Sequence, residues 1–131
     1  MVEGRFELQG VDEMLRSIRA RMGNGAERLV NKGLRGAGEI IADAQREKVA
    51  VSDREKQHIR DDIRVSGVRR VDGVKFVLIG QSKKTSWRAH LLEFGTKKTP
   101  AQPYIYTAFV EEKDAAKQYM IQEFQKGVRD G

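Results

Sequence analysis

The chain has 131 residues, no cysteine and a formal net charge of +6 at pH 7. That length suits one core, since a chain of this size buries roughly two-thirds of its unfolded surface, and the missing cysteines exclude a disulfide framework and any thiolate nucleophile or metal site. Apolar residues make up 39% and charged residues 34%, so the surface is densely charged, and no apolar run approaches the ~20 residues needed to cross a bilayer. The first ten residues carry Glu3, Arg5 and Glu7 and lack the apolar core of a signal peptide; the expectation is a soluble protein made in the cytoplasm. Lys and Arg are interleaved with Asp and Glu, as in Glu47-Lys48 and Asp53-Arg54-Glu55-Lys56. Such interleaving predicts a solvated surface rather than a concentrated phosphate-binding face.

In chain order, residues 3–9 predict a short strand with Phe6 and Leu8 on one face, broken by Gly10. Asp12 or a neighbour caps a helix to about Met22, on which Val11, Leu15, Ile18 and Met22 recur at helical spacing. Gly23-Asn24-Gly25 predicts a turn. The longest element follows, from about Ala26 to Lys48, with Val30, Leu34, Ala37, Ile41 and Ala44 as its apolar stripe. Gly33, Gly36 and Gly38 interrupt it, each disfavoured by up to ~1 kcal/mol relative to alanine. Close packing of another backbone offsets that, or the helix bends near Gly36. Residues 49–58 are polar and aperiodic, predicting a mobile surface loop.

From Ile63 the period changes to two. Ile63 and Val65 alternate with charge, Gly67 marks a bulge, and Val68 and Val71 continue the strand. Asp72-Gly73 is a two-residue hairpin turn requiring positive φ. The returning strand, 74–79, is the most apolar of the chain and predicts the central strand of a small sheet. A short helix, Trp87 to Phe94, ends at Gly95 as a left-handed cap. Pro100 and Pro103 hold Thr99 and Gln102 extended, and Ala108 to Lys126 forms a last helix burying Phe109, Ala116, Met120 and Phe124. The fold class is α+β: a small antiparallel sheet with a central β-hairpin (about 62–80), packed on the long helix of the N-terminal half and on the C-terminal helix. Residues 1–131 form a single domain.

The residues offer little for catalysis. There is no GxSxG elbow and no HExxH, and His58 and His90 fall in separate elements without a second ligand at metal-binding spacing. His90, beside Leu91 and Leu92, reads as a packing or hydrogen-bonding residue. Gly80-Gln81-Ser82-Lys83-Lys84-Thr85 follows a strand, yet Ser82 and not glycine precedes the first lysine, so it fails as a phosphate loop. Gly33-Leu34-Arg35-Gly36-Ala37-Gly38 likewise lacks GxGxxG spacing. Asp61-Asp62 and Glu111-Glu112 are adjacent pairs whose members point apart, and they read as solvated charge. The prediction is no enzyme, no cofactor and no metal.

One stretch stands apart from generic globular sequence: His90-Leu91-Leu92-Glu93-Phe94-Gly95-Thr96-Lys97-Lys98-Thr99-Pro100-Ala101-Gln102-Pro103-Tyr104-Ile105-Tyr106-Thr107-Ala108. It is a helix end, a glycine cap, a basic turn, a proline-stiffened crossing and the entry to a last helix. It resembles the signature of the tail-completion, or head–tail joining, proteins from the neck of long-tailed bacteriophages. In that family a helix ending in Glu-Phe-Gly-Thr leads to Pro-Ala-x-Pro-aromatic and a terminal helix. The order of the elements before it resembles the family too. Where the family often carries Arg-Pro before the alanine, this chain has Tyr106-Thr107, and Tyr104 stands where Phe is common.

The resemblance implies a structural protein of the virion neck, assembled in the host cytoplasm without a membrane step. Its copies would form a hexameric ring between the connector or stopper and the tail terminator or tail tube, with DNA passing through and touched only nonspecifically. On that reading Glu93, Phe94, Gly95, Thr96, Pro100, Pro103 and Tyr104 form an interface motif, with segment 96–103 and loop 49–58 as contact elements. The glycines of the long helix would admit a neighbour's backbone, and Lys83, Lys84, Lys97 and Lys98 would face DNA in the channel or acidic partners. Read for stability alone, Phe94, Tyr104 and Ile105 are core, Gly95 is a cap and Glu93 accepts from backbone N–H groups. Two other functions remain open: a basic nucleic-acid-binding regulator, and a small enzyme with a polar pocket around His58 or His90.

Overall fold

The computed structural model describes residues 11–49, 59–98 and 100–130. The strand expected over 3–9, nearly all of the loop expected over 49–58, and His58 lie outside the described residues. Helix α1, Val11–Met22, turns Leu15 and Ile18 inward. A short 3-10 segment, Gly23–Gly25, leads into α2, Ala26–Lys48, which runs unbroken past its glycines. The last helix, α5, spans Ile105–Asp130, three residues earlier and four later than the pattern predicts. At ~1.5 Å per residue, α2 and α5 are roughly 35 and 39 Å long, and their pairing is the spine of the molecule.

The two spine helices run antiparallel, as their contacts show. Leu29 meets Gly127, Gly33 meets Phe124, and Gly36 meets Tyr119; Lys32 pairs with Glu123 at 3.4 Å and Lys48 with Glu111. Val30, Ala37 and Ile41 of α2, Ala116, Met120 and Phe124 of α5, and Leu15 and Ile18 of α1 form one core. The glycines work by admitting rings, and no neighbouring backbone is needed. A Cβ at Gly33 would lie 2.5 Å from Phe124 Cε1, and one at Gly36 only 2.1 Å from Tyr119 Cε1. Gly38 faces Val65 and Val77 of the hairpin. All three sites are thus filled from within the chain, which corrects the expectation that a neighbouring molecule's backbone occupies them.

The hairpin behaves as its local chemistry predicts. Strand β1, Arg64–Val65, pairs antiparallel with β4, Ile79–Gly80, and β2, Arg69–Val71, pairs with β3, Val74–Phe76. Ser66 joins the two ladders, its N–H donating to Leu78 O and its Oγ accepting from Leu78 N, both at 2.8 Å. Gly67 and Val68 then oppose Val77 alone, which is a β-bulge. Asp72 and Gly73 have φ of +52° and +79°, the turn whose twist matches the strands. Among the described residues the returning strand has a neighbour on one side only. Its Lys75 and, from the partner strand, Arg70 reach Glu27 of α2, which also faces Arg19 of α1, so one carboxylate ties three elements together at the surface.

A second, smaller core of Ala42, Val49, Ile59, Ile63, Ala89 and Tyr104 closes the other end. Val49, expected in a polar loop, is buried here. A one-turn helix α3, Ile59–Asp62, and helix α4, Ser86–Phe94, supply the remaining walls.

Gly33→Ala tests the packing. Phe124 is buried and its ring must shift to make room, so overpacking should cost about 1–3 kcal/mol despite alanine's ~1 kcal/mol propensity advantage. Gly67→Ala, which meets nothing within 4 Å, is the control. A urea midpoint for Gly33→Ala at or above that of the parent would show that the helices have room.

Candidate assembly interface

The turn that launches α4 is organised by a carboxylate twenty residues away. Asp62 Oδ2 accepts from Ser82 N at 2.9 Å, Ser82 Oγ at 2.7 Å and Thr85 Oγ1 at 2.6 Å. Burial pushes this carboxyl up, but the hydrogen bonds from Thr85 and Ser82, with Arg64 adding, more than offset it and hold it below the ordinary carboxylate value. Asp62 is therefore an internal anchor, contrary to its expected role as solvated charge; Asp61 alone faces water.

Helix α4 then divides its residues sharply. Ala89 packs in the smaller core with Leu92 against it, and Glu93 is buried. On the other face Trp87, Leu91 and Phe94, at i, i+4 and i+7, are 66%, 37% and 61% exposed. His90 is exposed as well and lies against Phe94, ring centroids 4.9 Å apart, so it packs at the surface. Phe94 is thus not the core residue that the stability reading expects. Apolar side chains at helical spacing ordinarily mark the buried face; here they mark the open one.

The end of α4 builds the start of α5. Gly95 N donates to Leu91 O at 2.8 Å and closes the last turn. Gly95 has φ +78° and ψ 178°, a region essentially reserved for glycine and distinct from the left-handed cap expected. Next to it, Glu93 reaches back to the head of α5. Its Oε2 accepts from Tyr104 N and Ile105 N, both at 2.9 Å, and its Oε1 from Tyr106 N at 3.0 Å. Those N–H groups have no partner within the helix, and a carboxylate at a helix N-terminus also meets the positive end of the dipole. Tyr104 is 1% exposed; its hydroxyl accepts from Gln81 Nε2 at 2.7 Å, and burial, with Glu93 adding, pushes the phenol well up. Between the helices, Gln102 N donates to Leu92 O at 2.7 Å.

The expected motif therefore splits in two. Glu93 and Tyr104 are buried and, with half-buried Gly95, hold the crossing in place. Phe94, Thr96, Pro100 and Pro103 stand at the surface, together with Lys83, Lys84, Lys97 and Lys98. Among the described residues none of these four lysines pairs with a carboxylate.

A family profile described as "Bacteriophage HK97-gp10, putative tail-component" matches residues 12–95, well over half of the chain. The chain belongs to the HK97-gp10-like family. No curated protein and no solved structure matches it. As a member of this family the chain is a phage tail component, and a virion location follows. The match runs from α1 through the Glu93-Phe94-Gly95 end of α4, so it covers the residue that caps α5 but not α5 itself. Among the described residues no three His, Asp or Glu side chains gather as for a metal ion, and no helix is long and apolar enough to cross a membrane. In the HK97-gp10-like chain an open groove of about 400 Å³ lies between α1 and α5, lined by Met14, Ile18, Ile121, Phe124 and Val128 and flanked by Arg21 and Arg129. It is apolar and away from His90.

Substitutions at two positions test the anchors. Glu93→Ala should lower stability by about 2–3 kcal/mol, the scale of hydrogen bonds to a buried charged group, and speed amide exchange at 104–106, while Glu93→Gln keeps one acceptor and loses less. Asp62, with its folded pKa depressed, contributes stability that is present above its unfolded value near 3.9 and is lost as pH falls through the folded value. Acid unfolding of Asp62→Asn, followed by circular dichroism, should lack that component; an acid limb identical to the parent's would exclude Asp62 as its source.

Proposed function

We propose that this tail component is a non-enzymatic, single-domain (1–131) neck protein that completes the tail at the head–tail interface. Its copies close into a ring, six to match the tail's symmetry, seated between the connector or stopper and the tail terminator or tube. The genome passes through the ring, and any DNA contact is nonspecific and steeply salt-dependent. Assembly takes place in the host cytoplasm.

The observation that carries this reading is the division of the motif. Buried Glu93 and Tyr104 hold a short crossing whose outward residues, Phe94, Thr96, Pro100 and Pro103, are solvent-facing. A proline-stiffened segment loses little conformational entropy on docking, so the arrangement suits a surface used for contact. A ring needs a heterologous interface, in which two different patches of one chain meet around the axis. The outward side of the crossing, at Thr96, Pro100 and Pro103, supplies one such region.

Native mass measurement tests the ring. Purified protein, alone and mixed with neighbouring tail components, should give one closed multiple of the 14.9 kDa chain, with amide exchange across 96–103 slowed relative to the monomer. A chain that remains monomeric in both settings, and that shifts duplex DNA on a gel, would instead support the basic regulator.

A further inference from the structure

The exposed face of α4 lies in an unusually one-sided stretch of charge. From Ser82 to Val110 there are five Lys and Arg residues, Lys83, Lys84, Arg88, Lys97 and Lys98, and a single acid, Glu93. Glu93 is buried and its carboxylate is turned onto the head of α5. The Trp87, Leu91 and Phe94 stripe is thus bracketed by a lysine pair before the helix and another after it, with no exposed carboxylate from its own segment. We propose that this stripe is a docking site for a different protein whose surface combines apolar side chains with carboxylates. The proposal rests on the assembly reading above and names the chemistry of one of its partners.

Three features select that occupant. An apolar stripe exposing two large aromatic rings is a recognition feature, since such rings anchor interfaces when they enter a pocket. The lysine brackets add the sign: a partner must bring negative charge to the rim, where complementarity sets encounter rate and register. A second copy of this chain, with its net charge of +6, suits the site less well on the same grounds. Among the described residues its other exposed apolar surfaces are the hairpin tip at Val71 and Val74, beside Arg69, Arg70 and Asp72; the α1/α5 groove, between Arg21 and Arg129; and Tyr106 with Val110, close to Glu111, Lys113, Asp114 and Lys117. The groove would set cation against cation, and the other two carry mixed charge, so none offers the one-signed acidic rim that four lysines call for. The acidic ladder Glu39, Asp43 and Glu47 of α2 is exposed, but Arg46 already binds its first two members, and none of the chain's large exposed apolar side chains lies on α2.

Duplex DNA fits less well than an acidic protein. Its outer surface is phosphate and sugar, which the lysines would suit and the aromatic stripe would not. Stacking on Trp87 and Phe94 would require unpaired bases.

Trp87 is the chain's sole tryptophan, so its emission reports on this site without a label. The probe is a synthetic helical peptide with Leu and Glu at helical spacing, titrated into the full-length protein; the same peptide with Lys for Glu, duplex DNA and anionic phospholipid vesicles are run alongside. The expected result is a saturable shift of Trp87 emission to shorter wavelength with the acidic peptide alone. Its apparent affinity should fall at least tenfold between low and physiological salt. It should fall at least tenfold again in Lys83→Glu/Lys84→Glu/Lys97→Glu/Lys98→Glu, while Phe94→Ser removes the saturable shift and leaves the circular dichroism unchanged. No response to the acidic peptide, or an equal response to the basic one, overturns the proposal. So does a larger shift with DNA or vesicles, or a shift produced by protein concentration alone, which would mark a self-interface. The ring reading fails separately: a monomer by mass that still binds the acidic peptide refutes the ring and keeps the docking site, and closed rings whose Trp87 ignores the peptide do the reverse.

Discussion

The carboxylate of Glu93 joins the end of one helix to the beginning of another, and the geometry of the candidate interface depends on that joint. Three successive N–H groups at the head of α5, the first buried and the next two partly so, would otherwise have no acceptor within the helix. Satisfying them from α4 fixes where α5 starts and leaves residues 95–103 to bridge a set distance. Gly95, in a conformation closed to other residues, turns the chain away so that Glu93 can face inward while Phe94 faces out. Asp62 does the equivalent at the other end of α4 by gathering Ser82 and Thr85. The helix that presents the apolar stripe is therefore held at both ends by buried acids rather than by its own modest hydrophobic face.

Such anchoring needs a rigid reference, and the α2/α5 spine supplies it. Glycines in the middle of α2 weaken that helix in isolation, yet each gives space to a side chain that could not otherwise come so close: Phe124 at Gly33, Tyr119 at Gly36 and the hairpin valines at Gly38. The dispersion gained along two long helices, each buried aromatic ring touching many atoms, outweighs a few kcal/mol of lost propensity. Because α5 begins at the Glu93 cap and ends against α1, the spine carries the position of the crossing through the whole length of the molecule.

Much of this was legible where the determinants are local. Asp72-Gly73 between alternating strands announces its hairpin, the stripe from Val30 to Ala44 announces α2, and Gly67 announces the bulge. Where the determinant is distant, the local pattern misleads. It puts the start of α5 at Ala108 rather than Ile105 because the cap comes from Glu93, eleven residues before Tyr104, with no Ser, Thr, Asp or Asn at the junction itself. Asp62 looked solvated because its partners lie 20 and 23 residues away. Phe94 looked like core because apolar residues at helical spacing usually are. That the inward face of α4 would be Ala89, Leu92 and a glutamate is visible only once the smaller core is assembled.

That last inversion bears on function as much as on fold. A nine-residue helix with its aromatic residues turned inward would have anchored itself, with no need of two buried carboxylates. Here the anchoring is polar and the large apolar groups are left in water, which is unfavourable for an isolated molecule by roughly 25 cal/mol for each Å² so exposed. A surface of that kind gains free energy only when something covers it. The lysines on either side limit what that can be, because a covering surface that is apolar but uncharged would leave four ammonium groups at its rim without partners. Glu93 spent on capping α5 and Phe94 left exposed are thus two sides of one arrangement: removing the segment's only carboxylate to the interior makes the exterior both apolar and uniformly basic, and so selective for a partner of opposite sign.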